Sequence, residues 1–385
     1  MNFKQAAVDN FDFVVAMRRE MHANPEPSMG EFKTTEWVGA KLTEIGIPFR
    51  KLEPTGLIAE IKGGKPGKIV ALRADMDALE IRTENTGLPF ASTNGYMHAC
   101  GHDAHTSMLI GAAKILNEAK DELQGTVRLI FQPAEEVAKG ALLAIEQGAL
   151  DGVDMIFGSH VFPQIPAGTM WVGDGATMAA VDLFKIKVKG RGGHGAMPET
   201  TADALVAAAS IVMNLQTMVS RDLSPSDTAV CTVGKFNSGS RFNIIAGEAE
   251  LEGTCRSFSR EVHNQLEGII ERIAKNTAAA LKCEAEVEFN VLTEVLINDV
   301  EATEYARAAA EKVADSPEMV TSMVPSTGGE DFAYFTVETK ASFMGIGIGG
   351  NYPLHSDYFE LDEEAMKSGT AWYAQVAYDF LSDNA

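Results

Sequence analysis

Ile69-Val-Ala-Leu-Arg-Ala-Asp-Met-Asp77 is a short apolar run that closes on two acids. A block of aliphatic residues this short reads as a buried strand, with Asp75 and Asp77 just past its carboxyl end. The same figure returns along the chain. Thr126–Phe131 is apolar and leads into Glu135 and Glu136, and Met155–Gly158 runs on into Ser159 and His160. Leu57–Ile61 and Phe343–Ile348 are further short apolar segments of strand type. Helical periodicity fills the gaps, around Phe13, Met17 and Met21, around Trp37, Leu42 and Ile45, and over Thr106–Ala119 and Gly140–Gln147. Strands alternating with helices predict an α/β fold with a mostly parallel central sheet. In open sheets of this kind functional groups gather beyond the carboxyl ends of the strands. Asp75, Asp77, Glu135, Glu136 and His160 are therefore expected to converge.

The middle of the chain has a different rhythm. Val181–Lys189 alternates like a half-exposed strand, Ala202–Val219 has helical spacing, and Thr228–Phe236 and Ala249–Cys255 read as strands. Glu261–Leu281 is again helical, and Ala285–Val291 alternates. The order β-α-β-β-α-β is the ferredoxin-like α+β pattern. The chain is thus read as one domain, residues 1–180 and 295–385, interrupted by an inserted domain, residues 181–294. Joints near residues 173–175 and 292–298 are where the two are expected to hinge.

The 385 residues carry 54 acids against 32 bases, a net charge of -22. Nucleic acid is excluded as the main partner, because neutralising phosphate needs a basic footprint. An anionic membrane surface is excluded for the same reason. A small anionic substrate is not, since a few cations inside a cleft reverse the local field. No uncharged apolar run of about 18 residues stands out, so no helix is expected to span a membrane. The first twenty residues mix acids and bases, so no signal peptide is expected. Cys100, Cys231, Cys255 and Cys283 are few and scattered, which predicts a reduced, cytoplasmic protein.

Three of the eight histidines fall in one octapeptide, His98-Ala-Cys-Gly-His-Asp-Ala-His105. Cys100, His102, Asp103 and His105 are all candidate ligands or proton carriers. Cys-x-His sets two donors close enough to hold one metal or to bracket two. A buried cysteine among polar loop residues is the plainer reading, and this density of donors outweighs it. Glu135 and Glu136 are adjacent, so their side chains point apart; one can bind metal while the other moves a proton. Solvated acids at a helix start would look the same. His355 and His194 sit in Gly-rich surroundings, where a lone histidine is usually only a turn residue.

The strings GYMHACGHDAHT (95–106), QPAEE (132–136), GSH (158–160) followed by Pro163, GRGGHGAMPE (190–199) and LHSD (354–357) are telling in combination. They resemble the metal-dependent amidohydrolase branch of the aminoacylase and glutamate carboxypeptidase superfamily. That branch includes hippurate hydrolases, N-acyl-L-amino-acid amidohydrolases and indole-acetyl-amino-acid hydrolases. The resemblance spans essentially the whole chain, in order. It implies a catalytic domain with two divalent metals, bridged by Cys100 where many relatives use Asp, with His102, Glu136, His160 and His355 completing the two sites. It implies Glu135 as general base and Asp77 as the acid that supports the ligands. Asp75 stands where other branches carry a metal-binding His. The resemblance further implies an inserted domain that serves as a lid and as the contact of a homodimer. There His194 reaches an active site, often the partner subunit's, to polarise the carbonyl, while Asn243 and Arg256 contact substrate. The planar fork of Arg256 suits a carboxylate. Gly329, where Ser is common, and Glu80, where Pro is usual, depart from the family pattern.

Hydrolysing an amide needs a nucleophile at neutral pH, and a metal lowers the pKa of bound water from about 15.7 toward ~7. Glu135 would then take the proton and pass it to the leaving amine. Thiolate plus imidazole favours zinc, with manganese, cobalt and nickel open. The expected substrate is a small N-acyl amino acid. A dipeptidase or carboxypeptidase would share every ligand and differ only in its pocket. A binding protein without catalysis should lack Glu135 or a ligand, and an enzyme with Cys100 as nucleophile would leave Glu135, Glu136, His160 and His355 idle.

Overall fold

In the computed structural model, which describes residues 1–384, the run from Ile69 is the inner part of a longer strand, Lys65–Asp75, buried from Val70 onward. The chain opens with helices α1 (Phe3–Asp9), α2 (Phe11–His22) and α3 (Phe32–Glu44), then strands β1 (Phe49–Lys51), β2 (Leu57–Lys62) and β3 (Lys65–Asp75). Helix α4 (His102–Glu118), β4 (Gln124–Gln132), α5 (Gly140–Glu146), β5 (Met155–Phe162), β6 (Met170–Val172) and β7 (Gly175–Met178) follow. The middle of the chain supplies β8 (Ala180–Lys189), β9 (Gly193–His194), α6 (Ala204–Thr217), β10 (Ala229–Ser238), β11 (Ile244–Ile245), β12 (Glu248–Ser257), α7 (Arg260–Ala280) and β13 (Glu284–Thr293). Last come β14 (Leu296–Asn298), α8 (Val300–Val313), β15 (Val320–Ser322), α9 (Phe335–Glu338), β16 (Lys340–Gly347) and α10 (Met366–Asp383).

These elements fall into two units. The larger comprises Met1–Gly175, Ile297–Val324 and the described chain from Asp331 onward. Its sheet has the strand order β1-β2-β4-β3-β5-β16-β6-β15. The four central strands, β4, β3, β5 and β16, are mutually parallel, and the antiparallel pairs lie toward the flanks. Helix α4 is buried along nearly its whole length, from His102 to Leu116. Leu109, Ile110 and Leu116 share a core with Trp372 and Tyr373 of α10 and with Leu72, Phe131 and Phe157 of the sheet. Each such side chain contributes about 1.5–3 kcal/mol by leaving water.

The smaller unit comprises Ala176–Leu296 and Pro325–Glu330. Its antiparallel sheet, β10-β12-β8-β13, carries α6 and α7 over a separate apolar core that includes Phe184, Ile211, Leu251 and Ile270. This is the β-α-β-β-α-β order. The extra segment joins this unit because Ser326 pairs with the backbone on either side of Met178: its N–H donates to Thr177 O at 2.9 Å and its carbonyl accepts from Ala179 N at 3.1 Å. The unit therefore extends beyond the expected span 181–294 at both ends and takes in a later stretch. Helix α6 is the most apolar of the long helices. With its continuation to Asp222 it is long and apolar enough, by length and composition, to cross a membrane. One face, through Ala207, Ala208, Ile211 and Leu215, lies in the unit's core, while Leu205, Val206 and Met213 are exposed.

Candidate metal centre

Asp75 is the last residue of β3 and Asp77 follows it. His102 opens α4, four residues earlier than the apolar periodicity suggests. The helix starts there because Gly101 adopts a left-handed turn (φ 88°) that turns the chain into its first helical residue. His160 lies inside β5, because β16 continues to pair with β5 as far as Phe162. Glu135 and Glu136 occupy a tight turn between two left-handed alanines, Ala134 and Ala138 (both φ 54°), rather than the start of a helix. His355 is itself left-handed (φ 67°), with its N–H on Ala99 O at 2.8 Å. Non-glycine residues in this region carry strain of order 1 kcal/mol or more, and such residues cluster at functional sites.

Within the larger unit these side chains meet. The Cys100 Sγ stands 3.3 Å from His160 Nε2 and 3.3 Å from His355 Nε2. Donor atoms of Cys100, His102 and His160 all lie within 4.8 Å of one another, as do those of Cys100, Glu136 and His355, and those of His102, Glu135 and Glu136. Two of these atoms, His102 Nε2 and Glu136 Oε1, are buried with no hydrogen-bond partner and are 3.8 Å apart. Buried polar atoms are rarely left unpaired. Burial pushes the Glu136 carboxyl up to about 7 and, with Glu136 beside it, lifts the Cys100 thiol well above its ordinary value. Crowded acids, a thiol and imidazoles with unused lone pairs are what a pair of divalent cations would satisfy. The residues present fit such a group.

Asp77 organises this cluster. Its carboxylate accepts the backbone N–H groups of Glu135 (3.1 Å, Oδ1) and Glu136 (3.1 Å, Oδ2) and the Ser28 hydroxyl (2.6 Å). His102 Nδ1 lies 3.0 Å from Asp77 O and 3.2 Å from Asp77 Oδ1, which fixes the ring with Nε2 facing the other donors. His160 is set the same way, its Nδ1 donating to Val161 O at 2.7 Å. A fourth set of clustered donors, Asp75, His102 and His105, has its Asp75 and His105 atoms already engaged. Arg73 Nη1 already holds Asp75 Oδ2 at 2.8 Å, and the Val161 N–H already occupies His105 Nε2 at 2.9 Å. Arg73 in turn binds Asp331 (2.9 Å) and Gln132 (2.9 Å), so Asp331 contributes a buried strut to this unit. His98 stays apart: both its ring nitrogens are buried without partners, and burial lowers its pKa to about 4.

His194, Asn243 and Arg256 belong to the smaller unit. His194 is exposed on β9, directly opposite Ile244, and the Asn243 carbonyl accepts the Gly195 N–H at 2.9 Å, so these two residues share one small ribbon. Arg256 on β12 donates to Cys255 O (2.7 Å) and Thr327 O (3.3 Å). Sequence reasoning did not assign roles to Arg73, Gln132 or Ser28. An Arg embedded in the apolar run 69–77 was the available signal for the first.

Residues 71–379 match the model of "Peptidase family M20/M25/M40". The chain is 41% identical to an N-acetyl-L-cysteine deacetylase of Bacillus subtilis (strain 168), across 96% of this chain and 89% of that one. It is 37% identical to IAA-amino acid hydrolase ILR1-like 4 of Arabidopsis thaliana, across 97% and 87%. Among solved structures it resembles the Bacillus subtilis YXEP protein, described as a dinuclear metal binding peptidase from the M20 family. That likeness has a TM-score of 0.85 and 37% identity, and covers 97% of this chain and 98% of the other.

Proposed function

Since the chain belongs to the peptidase family M20/M25/M40 and is a metallo-amidohydrolase of N-acyl amino acids using two divalent metal ions, we propose the following division of labour within it. Cys100, His102, Glu136, His160 and His355 would hold the two metals. The observation that supports this most directly is the Cys100 sulfur, equidistant from two imidazole nitrogens beside the unpartnered His102 Nε2 and Glu136 Oε1. When bound, the metals supply Lewis acidity and an activated water.

Glu135 takes the proton from the attacking water and returns it to the leaving nitrogen. Its backbone is anchored on Asp77, which leaves the carboxylate at the cluster with Oε2 4.0 Å from His102 Nε2. In the smaller unit, His194 donates to the developing oxyanion, and Asn243 and Arg256 bind substrate, Arg256 through its carboxylate-matching fork. The smaller unit, residues 181–294 with its flanks, serves as lid and as the contact of a homodimer. The exposed apolar face of α6, with Leu205, Val206 and Met213, supports the dimer. Four unbridged cysteines support a reducing, cytoplasmic setting, with zinc, manganese, cobalt or nickel as the metal.

The test is hydrolysis of a panel of N-acetyl, N-benzoyl and indole-acetyl amino acids and dipeptides. The protein is assayed as isolated, after chelation, and after each metal is restored. Activity that vanishes with chelator, returns with metal and is highest on an N-acyl amino acid is the expected result. Activity confined to dipeptides moves the assignment to a dipeptidase, and chelator-insensitive turnover removes the metals from the mechanism.

A further inference from the structure

His105 has no place in the reaction as described, yet it is wholly buried 4.6 Å, ring to ring, from His160. Its two nitrogens have different and unambiguous partners. Nε2 accepts the Val161 backbone N–H at 2.9 Å, and an amide can only donate, so Nε2 carries no proton. The ring proton therefore sits on Nδ1, facing Asp75 Oδ1 at 2.6 Å. Asp75 is held on its other oxygen by Arg73, and its carbonyl accepts the Thr106 hydroxyl at 2.7 Å. A continuous buried line thus runs from Asp331 through Arg73, Asp75 and His105 to the Val161 peptide.

The position of that peptide matters because of how β5 ends. Strand β3 pairs with β5 only as far as Gly158, whereas β16 continues to Phe162. Past Gly158, β5 has lost one ladder neighbour, and His105 supplies the acceptor that the sheet no longer provides. The carbonyl of the same residue, Val161, receives His160 Nδ1 at 2.7 Å. Both polar groups of Val161 are therefore committed to histidines, one fixing the strand and the other fixing the ring of His160.

We infer that His105, oriented by Asp75, is a positioning residue for His160. Through the Val161 backbone it sets where His160 Nε2 points, and so how tightly the metal that His160 serves is held. This rests on the two-metal reading above. Outer contacts of this kind typically change metal affinity by about 10–100-fold when removed.

Zinc and cobalt titrated calorimetrically into the metal-free protein, with circular dichroism as a check on folding, decide it. His105→Asn keeps a donor toward Asp75 but has no acceptor for Val161; one of the two binding steps should weaken by about 10–100-fold. His105→Gln places an oxygen near the former Nε2 and should restore most of that affinity. Asp75→Asn leaves both rings in place. Its single oxygen must face Arg73, which can only donate, so its amide faces His105 and forces the ring proton onto Nε2, against the Val161 N–H. It should therefore weaken the same step, and it decides the matter alone if His105→Asn does not fold. Unchanged binding in folded Asn variants, or equal losses in His105→Gln and His105→Asn, would overturn the inference while leaving the two-metal reading intact. A wild-type protein that takes up no metal would overturn both.

Discussion

Arg18, His22 and Asp103 form a buried ionic triad at the first turn of α4, beside the metal cluster. Asp103 Oδ2 receives Arg18 Nε at 2.8 Å and His22 Nδ1 at 2.7 Å. Burial alone would raise the Asp103 carboxyl, but these two partners outweigh it and hold it well below the usual range. Removing one member of a buried charge group leaves the others desolvated and uncompensated, which costs about 3–5 kcal/mol. Arg18→Met should therefore lower the unfolding free energy by an amount of that order, read as a lower urea midpoint with the slope of the transition unchanged. Glu135→Gln belongs to the same scale and has the opposite profile. It should lower kcat by about 10²–10⁴-fold while elemental analysis still finds two metals per chain. Loss of metal together with activity would instead move Glu135 into the ligand set, beside His102 and Glu136.

The start of α4 is the element on which most of the cluster depends. Gly101 is left-handed, and a Cβ there would lie 2.4 Å from Val161 Cγ2. Gly101→Ala would add about 1–2 kcal/mol of backbone strain and would push on β5 at the residue after His160. Its expected signature is a lower unfolding midpoint together with weaker metal uptake, both read from the same preparation. This junction also shows where the sequence is legible and where it is not. The parallel strands were readable because each is a short aliphatic block, and the placing of acids and histidines near their carboxyl ends followed from that. The true helix start was not, because His102, Asp103, His105, Thr106 and Ser107 are polar yet fully buried. Amphipathic periodicity begins only at Thr106 and leaves His102, Asp103 and His105 as loop. They are interior because they satisfy one another and β3, through His105 to Asp75, Thr106 to the Asp75 carbonyl and the Ser107 hydroxyl to the Asp103 carbonyl. Long-range partnerships of that kind leave no periodic trace. The end of β5 was misjudged for a related reason: its continuation depends on β16, nearly two hundred residues away.

The molecule has two separate apolar cores, one in each unit. The proposed metal ligands all belong to the larger unit. Metal that binds only folded protein stabilises what it binds, by RT ln(1 + [L]/Kd). Calorimetry should therefore resolve two transitions, of which zinc raises one and leaves the other in place. The smaller unit carries its own pH signature. Burial works against a charged His263 ring, but Asp182 at 2.8 Å and Glu294 at 3.3 Å outweigh it and raise its pKa to about 9. A folded-state pKa above the unfolded value of roughly 6.5 gives stability that is fully present below pH ~6.5 and is lost as pH rises through about 9. The metal-insensitive transition should fall between pH 7 and pH 10, and His263→Gln should flatten that dependence. A transition equally steep in the variant would show that other groups govern it.

The adjacency of β5 and β16 also has a consequence in time. These two parallel neighbours are separated by the entire smaller unit. On a ribosome adding about 5–20 residues per second, β5 emerges roughly 10–40 s before the strand that completes it. In that interval the smaller unit has all four strands of its main sheet and both its helices available and can close its own core, while the larger sheet still shows an open apolar edge. Synthesis therefore favours finishing the insertion before its host, and the nascent host sheet is the stage at which this chain is most exposed to wrong partners.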